Sequence, residues 1–205
     1  MRTLHTEPYL DQCARWPASG RHILAQADAD TIVVYQAFAP SIGSAAAEAD
    51  CFCGSGFSLD RMSWIKPNFL WMMYRSGWAT KASQEAVLAI WLARTAFDTI
   101  LATAVPSSFD PARYADHAAW SAAVASSDVR LQWDPDHAPS GARVERRAIQ
   151  LGLRGATLAS YACKWIVEIQ DITSQVRAMR AALETGGETA LACPREDVYP
   201  TMAGL

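Results

Sequence analysis

Between Arg61 and Lys81 the chain sets four cations, Arg61, Lys66, Arg75 and Lys81, among three tryptophans, a tyrosine, a phenylalanine and three methionines, with no acid. Cations placed in so apolar a stretch need an anionic partner, because an unpaired buried charge is costly. A ligand phosphate would meet that need. Arg offers a planar fork, Lys a point charge, and Trp or Tyr a stacking face for a base or nicotinamide. A carboxylate elsewhere in the fold would meet it equally, with Arg61 and Arg75 paired internally and the tryptophans filling core. Arg75-Ser76-Gly77 is the sharpest part, since glycine lets the backbone approach a ligand closely. The candidate binding residues here are Arg61, Lys66, Tyr74, Arg75, Ser76 and Trp78.

Two further positions join them. Tyr35-Gln36 lies late in an apolar run, where the glutamine amide must find partners and is either a core anchor or a ligand-reading group. Glu168, with Gln170, sits in another apolar run as a surface residue, a partner for Arg61 or Arg75, or a catalytic carboxylate. Asp134-Pro-Asp-His137 reads as turn chemistry. Neither a nucleophile elbow, a phosphate loop nor a dinucleotide fingerprint occurs. Cys51-Phe52-Cys53 lacks the further ligands a metal site needs, so no metal is expected. The five cysteines are odd in number and irregularly spaced, which predicts reduced thiols without a disulfide framework.

The elements that must position these residues follow from pattern. Thr31–Phe38 reads as a buried strand, 41–50 as a helix with Ser41 as cap, and 53–58 as a loop. Pro67 suits the first turn of a buried helix that ends near Gly77, so Trp64, Trp71 and Trp78 do not share one continuous helix. Ala86–Leu92 is read as a strand and 94–104 as a helix. Asp110-Pro111 predicts a helix start, with the helix running to about Ala125. Val129–Trp133 and Arg146–Leu153 alternate as strands joined by a loop over 134–141. A helix over 155–164, a strand over 165–172, and a helix capped by Thr173 or Ser174 and stopped at Gly186-Gly187 complete the chain, with 193–200 irregular. The expected fold is α+β, one domain with a mixed, largely antiparallel sheet packed by helices, its core over about 20–190 and its termini less ordered.

Length suits one domain with a full core. A net charge of −3 argues against coating nucleic acid or an anionic membrane by bulk charge, while leaving a local basic pocket open. No stretch has the length and apolarity of a membrane span or secretory signal, which predicts a cytoplasmic protein.

Ile32-Val-Val-Tyr-Gln-Ala-Phe38, the whole of 61–81, Gln132-Trp-Asp-Pro135 and Trp165-Ile-Val-Glu-Ile-Gln-Asp171 resemble the family catalogued as domain of unknown function 4291, over roughly residues 20–200. The resemblance implies a single-domain, bacterial-type soluble protein and carries no reaction. The layout of an early strand with Tyr35-Gln36, a Tyr-Arg-Ser-Gly turn and a late strand with Glu168 is also similar to ADP-ribosyltransferase-like folds. In those folds the early elements hold NAD and the late acid acts on its ribose. This chain departs in having no His or Arg within Val34-Tyr35-Gln36.

The expectation is therefore an enzyme or sensor that binds a small phosphate-bearing ligand, NAD or another nucleotide, with Glu168 as the catalytic group of a transferase-like reaction. The alternatives are a module for RNA or single strands, and a structural protein whose cations pair internally.

Overall fold

A strand with one wet face alternates polar and apolar residues, but Thr31–Phe38 and Ala86–Ala93 hardly do, so both of their faces must be covered. In the computed structural model, which describes residues 1–200, they are strands β4 (Thr31–Phe38) and β6 (Ala86–Ala93), antiparallel from Thr31 opposite Ala93 to Phe38 opposite Ala86. β10 (Ile166–Asp171) pairs antiparallel with the other edge of β6, completing a three-stranded sheet.

A second, mixed sheet is built on the long antiparallel pair β8 (Val129–His137) and β9 (Arg143–Leu153). β2 (Gly20–Arg21) adds in parallel to β9 and β7 (Val105–Pro106) in parallel to β8, while β5 (Ser63–Ile65) pairs antiparallel with the end of β9. Two short antiparallel pairs tie the ends of the chain together: β1 (Thr6–Pro8) with β11 (Ala192–Pro194), and β3 (Leu24–Ala25) with β12 (Asp197–Val198).

Side chains of β4 alternate between two cores, as strand geometry requires. Ile32 and Val34 join Leu88, Ile90, Leu131, Ile149 and Leu151 between the sheets. Val33 and Tyr35 join Val87, Trp91, Phe69 and Met73 on the opposite face. Each fully buried large side chain contributes about 1.5–3 kcal/mol. The helices are α1 (Tyr9–Cys13), α2 (Pro40–Ala49), α3 (Phe69–Ser76), α4 (Arg94–Ala102), α5 (His117–Ser126), α6 (Gly155–Ser160) and α7 (Thr173–Gly186). A π turn, Tyr161–Trp165, extends α6, and a 3₁₀ turn, Gly187–Ala190, follows α7. α2 lies so close on β6 that a Cβ at Gly43 would sit 2.5 Å from that of Ala86. The result is a single compact α+β domain.

Several local expectations are corrected. α3 starts at Phe69, not at Pro67, because Asn68 supplies the cap: its side-chain oxygen accepts from Trp71 N at 2.7 Å. Gly77 closes the same helix at φ 60°. α2 begins at Pro40, one residue ahead of Ser41. α5 starts at His117 under an Asp116 cap, while Asp110 folds a separate turn by accepting from Ala112 N. β8 continues through Asp134–His137 with a register shift at Pro135, leaving only a tight turn before β9. A comparable irregularity between Ile166 and Glu168 shifts the register of β10 against β6.

The terminal segments contribute Tyr9, Trp16, Cys193, Glu196 and Tyr199 to the buried interior. The thiol expectation is overturned as well. Cys53 and Cys163, 110 residues apart, are joined with their Cα atoms 5.7 Å from one another, because α6 and its π turn bring Cys163 against the 51–58 loop. Cys13, Cys51 and Cys193 are free.

Candidate functional site

β5 is the hinge of the site. It pairs with β9, and the next residue, Lys66, forms a lone antiparallel bridge with Tyr35 of β4, so the two sheets meet there. Beside this junction opens a cleft of about 780 Å³, walled by Trp64, Met62, the Phe57-Ser58 edge of the 51–58 loop, and Met72 and Arg75 of α3. Gly152 makes part of the wall possible: a Cβ there would lie 2.6 Å from Met62 Sδ and 3.0 Å from the Trp64 ring.

Arg61, Lys66 and Arg75 all line the cleft, and no Asp or Glu does. None of the three forms an ion pair with any described residue. Arg61 and Arg75 are exposed, whereas Lys66 is only 4% exposed and its ammonium makes no hydrogen bond to a described residue. Burial first, and then the charge of Arg75, lower the Lys66 amine to about 8 against a partial offset from Asp134. Gln84, with its amide oxygen turned toward the guanidinium, accepts from Arg75 Nη1 at 3.1 Å and donates to the Arg75 carbonyl at 3.2 Å.

The facing strands supply neutral polar groups. Gln132 and Gln150 are cross-strand partners whose Nε2 atoms donate to the two oxygens of Asp134, at 2.9 and 2.7 Å. Each amide thereby keeps its carbonyl oxygen as an acceptor beside the cleft. Gln36 is an anchor: Nε2 donates to Ser63 Oγ at 2.9 Å and to Trp64 O at 3.0 Å, and Oε1 accepts from Tyr161 OH at 2.7 Å. Burial pushes the Tyr161 phenol far above its ordinary range, so it remains a neutral donor. The 51–58 wall is held by the Cys53–Cys163 bond, by Ser55 Oγ donating to Phe52 O, and by packing among Phe38, Phe52 and Phe57.

Of the residues singled out from sequence, Gln36, Arg61, Lys66 and Arg75 converge on this cleft. Tyr35 points into the opposite core against Phe69. Tyr74 lies outside, stacked on His137 with ring centroids 3.6 Å apart. Ser76 is buried, its hydroxyl accepting from Ala79 N, and Trp78 packs edge-on to Phe69. Lys81 caps the end of α3 through the carbonyls of Tyr74 and Arg75.

Glu168 does not line the cleft. Its carboxylate accepts from Arg2 N at 2.7 Å and Gln170 Nε2 at 2.6 Å. Burial pushes that carboxyl up, but these bonds outweigh it and hold it below the ordinary range. Sequence reasoning missed Gln84, Gln132 and Gln150. The alternation Gln132-Trp-Asp134 on one strand face was the available signal for one of them, and nothing local marks the others.

Among the described residues no group of three or more His, Cys, Asp or Glu is placed to hold a metal ion, and no helix is long and apolar enough to cross a membrane. A family model described as a domain of unknown function (DUF4291) matches residues 22–199. No curated protein matches the chain.

Proposed function

Given that this chain belongs to the DUF4291 family, whose description names no activity, we propose from the cleft itself that the protein binds a small phosphate-bearing ligand, with nucleotides the first class to test. One observation carries the reading: the buried Lys66 ammonium lines the cleft with no partner among the described residues. A bound phosphate supplies the missing anion, and Arg61 and Arg75 supply forks for its remaining oxygens. The carbonyl oxygens of Gln132 and Gln150 suit the N–H or O–H donors of a base or ribose. Trp64 and Phe57 offer apolar faces for the ring.

A transferase-like reaction on the bound nucleotide is the finer form of the proposal, and it assigns no role to Glu168, which lies outside the cleft lining. A cytoplasmic setting belongs to the same proposal, with Cys53–Cys163 then exposed to the reducing thiol pool.

The test is calorimetric titration and thermal shift with ATP, NAD and inorganic phosphate, comparing the wild type with Arg75→Ala. Stabilisation that grows with ligand concentration and is lost in the variant is expected. No response to any of the three would reject the reading. Steeply salt-dependent binding of short RNA in their place would favour the nucleic-acid module.

A further inference from the structure

Lys66, Lys81 and Lys164 are the chain's only lysines, against fifteen arginines. Two of the three have ordinary positions: Lys81 caps a helix and Lys164 is exposed. Every ion pair among the described residues is made by arginine. Yet the buried cation of the cleft, sharing the lining with two arginines and no carboxylate and feeling the charge of Arg75, is a lysine. Arginine at this place would stay charged at any accessible pH, whereas a lysine amine can shed its proton. A lysine desolvated next to another cation is the arrangement that activates an amine as a nucleophile toward carbonyl carbon.

We infer that Lys66 is a catalytic nucleophile that condenses with the carbonyl of a phosphorylated aldehyde or ketone held by Arg61 and Arg75, an open-chain sugar phosphate being the natural class. The inference rests on the phosphate-binding reading and narrows its ligand to one that carries a carbonyl. The neutral amine adds to the carbonyl carbon, forming a C–N bond while the carbonyl oxygen takes up a proton. The resulting hydroxyl then leaves as water and nitrogen gives up its proton, so that C=N replaces C=O with no oxidant or reductant. The lowered amine pKa supports this by leaving more of Lys66 neutral near pH 7.5 than an ordinary lysine amine would be. The two glutamine carbonyls accept from hydroxyls along the substrate chain.

The experiment uses the full chain with pyridoxal 5′-phosphate as the phosphorylated aldehyde and pyridoxal as the same aldehyde without phosphate. Borohydride reduction fixes any imine, and peptide mass spectrometry locates it. Lys66 should be labelled about tenfold faster than Lys81 or Lys164. That preference should need the phosphate group and be suppressed by inorganic phosphate. Lys66→Arg, which keeps a cation but has no condensable amine, should lose the adduct. The comparison of the two aldehydes on wild-type protein carries the test even if that variant folds poorly. Equal labelling of the three lysines, with phosphate still bound through Arg75, would overturn the covalent role and leave the binding reading intact. Binding of neither phosphate nor probe would overturn both.

Discussion

Tyr35 and Lys66 exchange backbone hydrogen bonds, Tyr35 N to Lys66 O at 2.7 Å and Lys66 N to Tyr35 O at 3.3 Å, and these join the three-stranded sheet to β5 of the other sheet. The same bridge that directs the Tyr35 ring into one core holds Lys66 at the floor of the cleft, where its ammonium is desolvated. The cleft is the one side from which the largely desolvated ammonium can be reached, and the consequences can be measured.

Stability should rise with pH because of Lys66. Its amine titrates near 8 in the folded chain and at its ordinary, higher value when unfolded. Well below pH 8 the amine is charged in both states and the burial penalty, about 3 kcal/mol, is fully present. Between pH 8 and about 10.4 the folded state releases its proton first, so the penalty fades. Lys66→Met should therefore be more stable than wild type at pH 7 and lose that advantage by pH 10, as read by urea denaturation. A variant less stable than wild type at pH 7 would refute this.

Anion binding should take up protons. Inorganic phosphate, which has no carbonyl to condense with, restores the charged amine when it sits beside Lys66, so its titrations at pH 8.5 in buffers of different ionisation heat should show uptake of a substantial fraction of a proton. Uptake should vanish in Lys66→Met. Identical apparent enthalpies in all buffers would count against the assigned position of the anion.

Tyr161→Phe deletes the 2.7 Å bond to Gln36 and leaves a buried amide oxygen unpaired. The expected loss is about 1–3 kcal/mol of stability, with weakened ligand binding because Gln36 also holds Ser63 and Trp64 at the wall. A thermally neutral variant would show that water replaces the phenol.

Cys163→Ser, or reduction of the wild type, should lower stability by about 2–4 kcal/mol, since the bond closes a long loop. Binding should weaken in parallel, because Phe57 and Ser58 lose their tether. Melting curves with and without dithiothreitol decide it, and curves that superimpose would sink the prediction.

Glu196→Ala should destabilise by about 2–4 kcal/mol, because its buried carboxyl accepts from Phe69 N at 2.5 Å and Asn68 Nδ2 at 3.0 Å at the start of α3. Burial pushes this carboxyl well above its usual range. Glu196→Gln keeps one of the two bonds and should lose less. If both variants unfold at the wild-type urea midpoint, the cap contributes nothing.

Sequence by itself determined the elements whose signals are local. The unbroken apolar runs of β4 and β6 specify strands covered on both faces, and Gly77 specifies the end of α3. The cation-rich segment and the phrases that carry family membership were legible for the same reason: each lies within a few turns of chain. Sequence also posed the question of what meets Arg61, Lys66 and Arg75, but only the tertiary structure could answer it. Two carboxylates that could have served are bound to other partners, Glu168 to Arg2 and Gln170, Asp134 to two glutamines. The pairings of Cys53 with Cys163, Gln36 with Tyr161 and Asn68 with Glu196 each span more than a hundred residues. Periodicity arises from hydrogen bonds along one segment and leaves its mark in that segment. Convergence of side chains arises from how the sheets pack, and no local run of residues records it.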